Sequence, residues 1–402
     1  IAGRRLHSNT AGVVAAVVYL ATPWVAHVAM AGLVESPLAM YSFLAVYAVV
    51  ILPQPVPEVT GVSASASSGP FGAKEPESRR PCGTWYSQPV LAGYLAGAAA
   101  ACKYPAMLFV VLPLLAWIAF GRQKNSETPP AGRWNDQTGK GRFAAVVGQL
   151  RSRWKSVILF PCAAALGGGL WYLKNLVLTG NPVFPLLFGL FGDRTGTWDA
   201  ASNSQWALVH SPGSFSMATL AGDLFRVLLA SEWLGPLLFP LALLALLGRN
   251  RRRVELVLAG YFVLFLAAWW LLTHRIDRFW IPVLPVVAVL AGVGGARLDR
   301  EAWRRALLAI LVANSMVSLL VIVSPAPGNY KRFFLSLQAA RNDPLRVNPW
   351  HRHFNVHRPE GTLLLVGDAA VFDLDVPILY STCFDETPLR PLVLSESESA
   401  SA

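Results

Sequence analysis

The chain has 402 residues, is 54% hydrophobic and only 14% charged, and carries a net charge of +11; its mean hydropathy is +0.45. That balance excludes an ordinary water-soluble domain of this length and predicts an all-α polytopic membrane protein. The basic excess calls for a topological or lipid-headgroup explanation, and nothing in the pattern asks for nucleic acid.

Residues 1–7 carry Arg4 and Arg5, and a first span is expected from Ala11 to Leu33, interrupted late by His27. Glu35-Ser36-Pro37 makes a turn before a second span from Leu38 to Leu52. Residues 53–88 are rich in Pro, Ser, Gly and charge and read as a flexible loop. The apolar run from Val90 to Phe120 is too long for one span and short for two. Lys103-Tyr104-Pro105 divides it into two short helices, because the residue before a proline disfavours the helical conformation. A basic loop, 121–155, leads to a fifth span from Ser156 to Val177.

That fifth span ends in Trp171-Tyr172-Leu173-Lys174-Asn175 and runs into Gly180-Asn181-Pro182-Val183-Phe184-Pro185, a polar turn that cannot continue a helix. Residues 178–223 read as a polar loop. A sixth span is expected over Leu224 to Leu247, with Glu232, Pro236 and Pro240 disturbing its first half. The seventh runs from Val254 to Thr273, the eighth from Ile281 to Arg297 and the ninth from Ala306 to Val323. After Ser324 the composition becomes that of a soluble segment. Two short stretches, 362–368 and 376–381, read as strands. The expectation is therefore about nine transmembrane helices with a small outer-face α/β segment, 324–402, too short for a core of its own and ending in a disordered tail from about residue 392.

Charge supports this count. Lys and Arg number eight in 121–155, four in 249–253, four in 297–305, three in 53–88 and two in 1–7. The loops between these hold few: none between the first two spans, one in 178–223 and two in 274–280. Nine spans put every basic loop on one side, which the positive-inside rule makes cytoplasmic. A single span over 90–120 would break the pattern. The protein is thus expected to be a multi-pass protein of the cytoplasmic membrane with its C-terminus outside. Cys82, Cys102, Cys162 and Cys383 form neither a metal nor a disulfide pattern. The chain starts at Ile1 with no signal peptide before the first span, so a further N-terminal segment is expected upstream.

On the outer face this topology gathers Glu35, Lys103 with Tyr104, the Trp171, Tyr172, Lys174, Asn175, Asn181 group, and His274, Arg275 and Arg278. Ionisable groups at membrane depth are costly and are functional candidates for that reason. Lys103 interrupts an apolar stretch; the bland alternative is a lysine reaching to the interface from a helix end. Arg275 and Arg278 offer planar forks suited to phosphate or carboxylate, or form an ordinary loop with Asp277. Trp171 and Tyr172 are either an aromatic anchor or the rim of a substrate cavity. Glu35 is an exposed loop carboxylate or a general base for an acceptor hydroxyl. His210, His351, His353 and His357 read as solvated, and no spacing asks for a metal. The chemistry suggested is an anionic lipid headgroup held at the outer face, with Lys and Arg on a phosphate and Trp and Tyr lining a sugar.

These residues resemble signatures of the GT-C superfamily of polytopic glycosyltransferases. The nearest branch is that of bacterial relatives of dolichyl-phosphate-mannose protein mannosyltransferases and of the lipid A aminoarabinose transferase. Trp171 to Asn175 with Gly180 to Pro185 is one match. Gly32-Leu33-Val34-Glu35-Ser36-Pro37-Leu38 is similar to the acidic turn that opens a family helix. Leu95 to Gly97 through Cys102-Lys103-Tyr104 is similar to a Gly-rich helix ending in Lys. Arg278-Phe279-Trp280-Ile281-Pro282 through Pro285 and Ala291-Gly292 is similar to the Arg-aromatic-Pro-Pro helix, and Val366-Gly367-Asp368-Ala369 and Tyr380 to Asp385 to the outer segment. The matches stand in family order over most of 10–390.

The resemblance implies a transmembrane glycosyltransferase-like domain, 1–323, that moves a sugar with inversion from a polyprenyl-phosphate donor to a lipid, glycan or protein acceptor. It implies that Lys103, Arg275 and Arg278 lie near the donor phosphate and Glu35 near the acidic catalytic group, with no cofactor evident and no sequence support for a divalent metal. The family's main catalytic acid lies in an outer loop after the first helix, and no loop here corresponds to it, so the chain is expected to begin after it. The rival expectations are a lipid or solute transporter or flippase, which favours polar groups near the bilayer midplane and paired repeats, and a non-catalytic relative of the same superfamily.

Overall fold

The structure, a computed structural model, describes residues 1–54, 87–121, 139–247, 251–298, 300–323, 348–366 and 371–382, with single positions at 338, 369 and 389. Residues 55–86 of the loop expected over 53–88, residues 122–138 of the basic loop expected over 121–155, the tail from 392, and Gly367, Asp368, Cys82 and Cys383 to Asp385 lie outside the described residues. The rest of the expected basic loop is corrected: from Gly139 on, the chain is already helical and continues into the fifth span.

The described chain is helical apart from two short strands. Its helices are α1 (Ala2–Leu6), α2 (Asn9–Leu20), α3 (Pro23–Met30), α4 (Glu35–Val46), α5 (Ser87–Cys102), α6 (Leu112–Phe120), α7 (Gly139–Thr179), α8 (Phe188–Phe191), α9 (Ala200–Val209), α10 (Met217–Leu228), α11 (Leu238–Leu247), α12 (Arg253–Leu272), α13 (Leu284–Gly295), α14 (Glu301–Val323) and α15 (Pro349–His357). Wider π-type turns extend α4 over Tyr47–Ile51 and precede α6 over Met107–Val111, and a 3-10 turn, Asp277–Val283, leads into α13. The chain divides into two compact units, 1–171 with 211–323, and 172–210 with 324–402.

In the first unit α13 is the central element. Its sequence, Leu284 to Gly295, has no charged residue and no polar side chain, and all 12 residues are buried. It packs against α2 and α11. Gly292 meets the backbone of α2 at Ala11, and Gly294 meets α11 at Leu241; a Cβ at either position would overlap a backbone carbonyl. A second close approach joins α5 to α7, where Gly97 and Gly168 face each other. Among the described residues four stretches are long and apolar enough to cross a membrane: Arg153–Thr179, Arg253–Leu272, Asp277–Gly295 and Glu301–Val323. The α2–α3 pair, bent by 60°, makes a fifth if it is counted as one broken span. The bend has a local cause: Pro23 opens α3 without an N–H, and Thr22 turns its hydroxyl back onto Val18 O at 2.9 Å.

The break expected within 90–120 is present, with α5 ending at Cys102 and the chain turning through Lys103 to Ala106 before α6. The expected sixth span is corrected. Leu224 to Leu247 is not one helix: α10 starts earlier, at Met217, with Ser216 accepting from Thr219 N at 3.0 Å. The chain leaves the helix after Leu228 and resumes at Leu238. Gly235 at φ +76° and Pro236 occupy the break, and neither sustains a helix. The loop expected over 178–223 is likewise corrected, since it contains α8, α9 and the start of α10.

In the second unit, α7 ends at Thr179 and the chain turns at Gly180, φ +78°. Trp198 is buried there, with Phe184 and Trp206 rings both 6.1 Å away. The two expected strands pair in parallel, Leu363 with Ile378 and Leu364 with Leu379. Asn355 ties α15 to the strand-bearing loop, donating to Asp373 O and accepting from Asp375 N.

Candidate functional site

Glu35 is the first residue of α4, where the helix N-terminus favours a carboxylate. It is not an exposed loop group: its residue is 3% exposed. Two cations from distant parts of the chain converge on the same oxygen. Lys103 Nζ lies 3.2 Å from Glu35 Oε1, and Arg278 Nε lies 3.2 Å from it. The lysine contact has hydrogen-bond geometry; Arg278 Nε has the distance of an ion pair without the angle of a hydrogen bond. Lys103 comes from the turn between α5 and α6, and Arg278 from the 3-10 turn packed on α4. The sequence places each at a helix end, and the packing of α4 against the two turns brings them together.

The Lys103 ammonium also sits 4.3 Å from the centroid of the Phe279 ring, within cation–π range. The far neighbour of that ring is His274, edge-on at 5.1 Å. Two cations meet one carboxylate, so the cluster keeps a net positive charge. The side chains of Lys103 and Arg278 remain 30% and 37% exposed. Beside them a slim cavity with about 70 Å³ of water-accessible space runs between α4, the α5–α6 turn and α12, walled by Phe109, Val110, Phe265 and Trp269. Two partly exposed cations thus stand at the mouth of an apolar slot.

Glu35 departs from the expected exposed loop carboxylate: it is buried, takes both cations on one oxygen and so holds them side by side. Arg275 also departs from expectation. It is buried, at φ +58°, and its guanidinium donates to Trp270 O, Ser214 O, Gly213 O and Asp223 Oδ2. It stands 4.6 Å from the Trp270 ring centroid and ties the start of α10 to the turn after α12. Each of its three guanidinium nitrogens donates to the fold.

In the second unit, Asn181 is fully buried. Its amide donates to Leu186 O at 2.9 Å and accepts from Val183 N at 3.0 Å, so both ends hold the turn and the expected substrate contact is replaced by a structural one. Asn175 is also buried, while Trp171 and Lys174 are exposed on α7 and Tyr104 and Tyr172 are half-buried. His351, expected to be solvated, is buried, and His210 stacks on Trp206 at 3.7 Å.

Sequence reasoning missed Phe279 and Asp223. Phe279 had a signal, its place next to Arg278; Asp223 had none, because its partner lies 52 residues away. Among the described residues no group of three or more His, Cys, Asp or Glu is arranged to hold a metal ion. No protein family, curated protein or solved structure matches this chain.

Proposed function

We propose that this chain is a polytopic membrane glycosyltransferase of the GT-C type, which takes a sugar from a polyprenyl-phosphate donor and passes it to a lipid, glycan or protein acceptor at the outer face of the cytoplasmic membrane. The observation that carries the reading is the convergence of Lys103 and Arg278 on Glu35 beside an apolar slot. In such a transfer the bond from the sugar's anomeric carbon to the phosphate oxygen breaks, and a bond to the acceptor forms on the opposite face. The phosphate leaves with the electron pair. Fixed cations beside it stabilise that growing charge.

The membrane setting is part of the same proposal. Helices α7, α12 and α14 keep their outer faces apolar: Leu170 is 80%, Val263 57% and Leu320 63% exposed. Water gives no reason for that; hydrocarbon does. Helix α5 (Ser87–Cys102) and the shorter apolar helices Glu35–Ile51, Met107–Phe120 and Leu238–Leu247 complete a nine-span arrangement with the basic loops cytoplasmic and the C-terminus outside.

A second reading is supported by the 60° bend between α2 and α3, since transporters build midplane sites from broken helices. One experiment separates the two. The protein is reconstituted in vesicles with polyprenyl phosphate carrying a radiolabelled sugar. The transferase reading expects label on the acceptor, lowered about tenfold or more by Lys103→Ala and by Arg278→Ala. Label that crosses the bilayer still attached to its polyprenyl phosphate establishes the transporter instead, and unchanged rates in both variants remove the proposed roles.

A further inference from the structure

A second polar site lies at the other end of the first unit. Arg278 precedes α13 and Arg297 follows it, so the 12 residues of that helix separate the two by about 18 Å of helix rise. At the Arg297 end, α1, α2, α13 and α14 surround a cavity of about 670 Å³. Its volume falls in the range of ligand pockets. Its polar wall is made by His7, Ser8, Arg297 and Arg304, and its apolar wall by Val13 and Leu308 among others.

The polar wall is built. Ser8 caps α2, accepting from Ala11 N at 3.2 Å, and its hydroxyl lies 3.2 Å from His7 Nδ1. Arg297 is held by an ion pair to buried Glu255. That pair uses one nitrogen of the guanidinium, and the Arg297 Nε is buried with no hydrogen-bond partner among the described residues. Arg304 lines the same cavity and stays 58% exposed, with the exposed Glu301 carboxylate 3.9 Å away on the same helix. The cations are felt locally: burial, then Arg252, then Arg297, lowers the affinity of His7 for a proton. A buried, incompletely bonded guanidinium with a second one at the opening attracts an anion. The adjoining wall is hydrocarbon, and Leu308 beside it is 63% exposed.

We propose that this cavity is a binding site for an acidic phospholipid, with the headgroup phosphate at Arg297 and Arg304 and an acyl chain along Val13 and Leu308. The site is separate from the Glu35 cluster and faces the basic, cytoplasmic leaflet, where anionic lipids meet clustered Lys and Arg. It rests on the membrane setting proposed above and is independent of the transfer chemistry.

Alkaline carbonate extraction comes first: release of the chain into the supernatant defeats the membrane setting itself. The membrane-held protein is then purified in detergent and titrated with phosphatidylglycerol or with phosphatidylcholine of the same acyl chains, and retained lipid is counted by native mass spectrometry. Phosphatidylglycerol is expected to be retained roughly tenfold better. Arg304→Glu is expected to remove most of that preference, whereas Arg300→Glu, exposed on the same basic face but outside the cavity, keeps it. Leu308→Trp fills the apolar wall without changing charge and is expected to weaken retention as well, which keeps the test decisive if the glutamate variant does not fold. Equal retention of the two lipids, equal loss in the Arg300 and Arg304 variants, or displacement of the lipid by inorganic phosphate would overturn the proposal.

Discussion

Glu35 and Arg275 show how residue type alone misleads. Both were candidates for chemistry, and the difference between them lies in what surrounds them. Glu35 is shared by two cations that each keep a partly exposed side chain, so the cations retain donors for a ligand. Arg275 spends its donors on three carbonyls and Asp223. Arg275→Ala is therefore expected to act on stability: it leaves Asp223 and those carbonyls without their donor, at a cost of about 3 kcal/mol or more, read as a lowered unfolding midpoint in detergent. A variant of normal stability that fails in transfer would return Arg275 to the substrate. Asp193 gives a pH-dependent counterpart. Burial pushes its carboxyl upward, but hydrogen bonds from Thr195, Trp198 and Thr197 outweigh this and hold it below its ordinary value of 3.8. Its ionised form thus supports the 193–198 turn fully above that value, and the support disappears as pH falls through the lower folded value. Amide protection at Thr195 to Trp198, measured relative to the intrinsic exchange rate at each pH, should fall on acidification below about 4; unchanged protection there would show that the carboxylate does not hold the turn.

At the scale of elements, packing is set by where side chains are missing. Gly97 and Gly168 allow α5 and α7 to touch backbone to backbone, and a Cβ at Gly97 would run into the carbonyl of Ala164. Gly260 on α12 has open space beside it. The two should respond in opposite ways. Gly97→Val is expected to destabilise by about 1–3 kcal/mol through overpacking. Gly260→Ala should be neutral or stabilising, by up to about 1 kcal/mol, because it removes only the entropic cost of glycine in a helix. Thermal unfolding of the two variants side by side tests this, and an equal loss in both would mean that the close approach is not what holds α5 on α7. The break between α10 and α11 follows the same logic, since Gly235 and Pro236 remove the local tendency that would have joined the helices.

Across the whole molecule, the distribution of Lys and Arg and the proposed membrane setting make one prediction. A cysteine at Arg251, in a basic loop, should react with an impermeant thiol reagent only from the cytoplasmic side. A cysteine at Ala201, exposed on α9, should react only from the opposite side. Labelling of both from one side would refute the nine-span arrangement. The two polar sites stand at opposite ends of α13, the Glu35 cluster at one and the Arg297 cavity at the other.

Much of this was legible in the chain before folding. Hydropathy and length mark the apolar helices because a backbone without water must bond to itself, and helices do that locally. Proline and glycine mark the turn at Lys103-Tyr104-Pro105 and the disturbed first half of the sixth run for equally local reasons. The residues Glu35, Lys103 and Arg278 were each visible as charges at helix ends. Their meeting on one carboxylate oxygen was not, because positions 35, 103 and 278 are brought together only by the packing of α4, the α5–α6 turn and the 3-10 turn before α13. The same holds for Arg275, whose partner Asp223 is set by the return of α10 onto the end of α12. Local sequence determines which segments become helices and where they stop; tertiary packing decides which charges find partners, and so which remain able to bind a ligand.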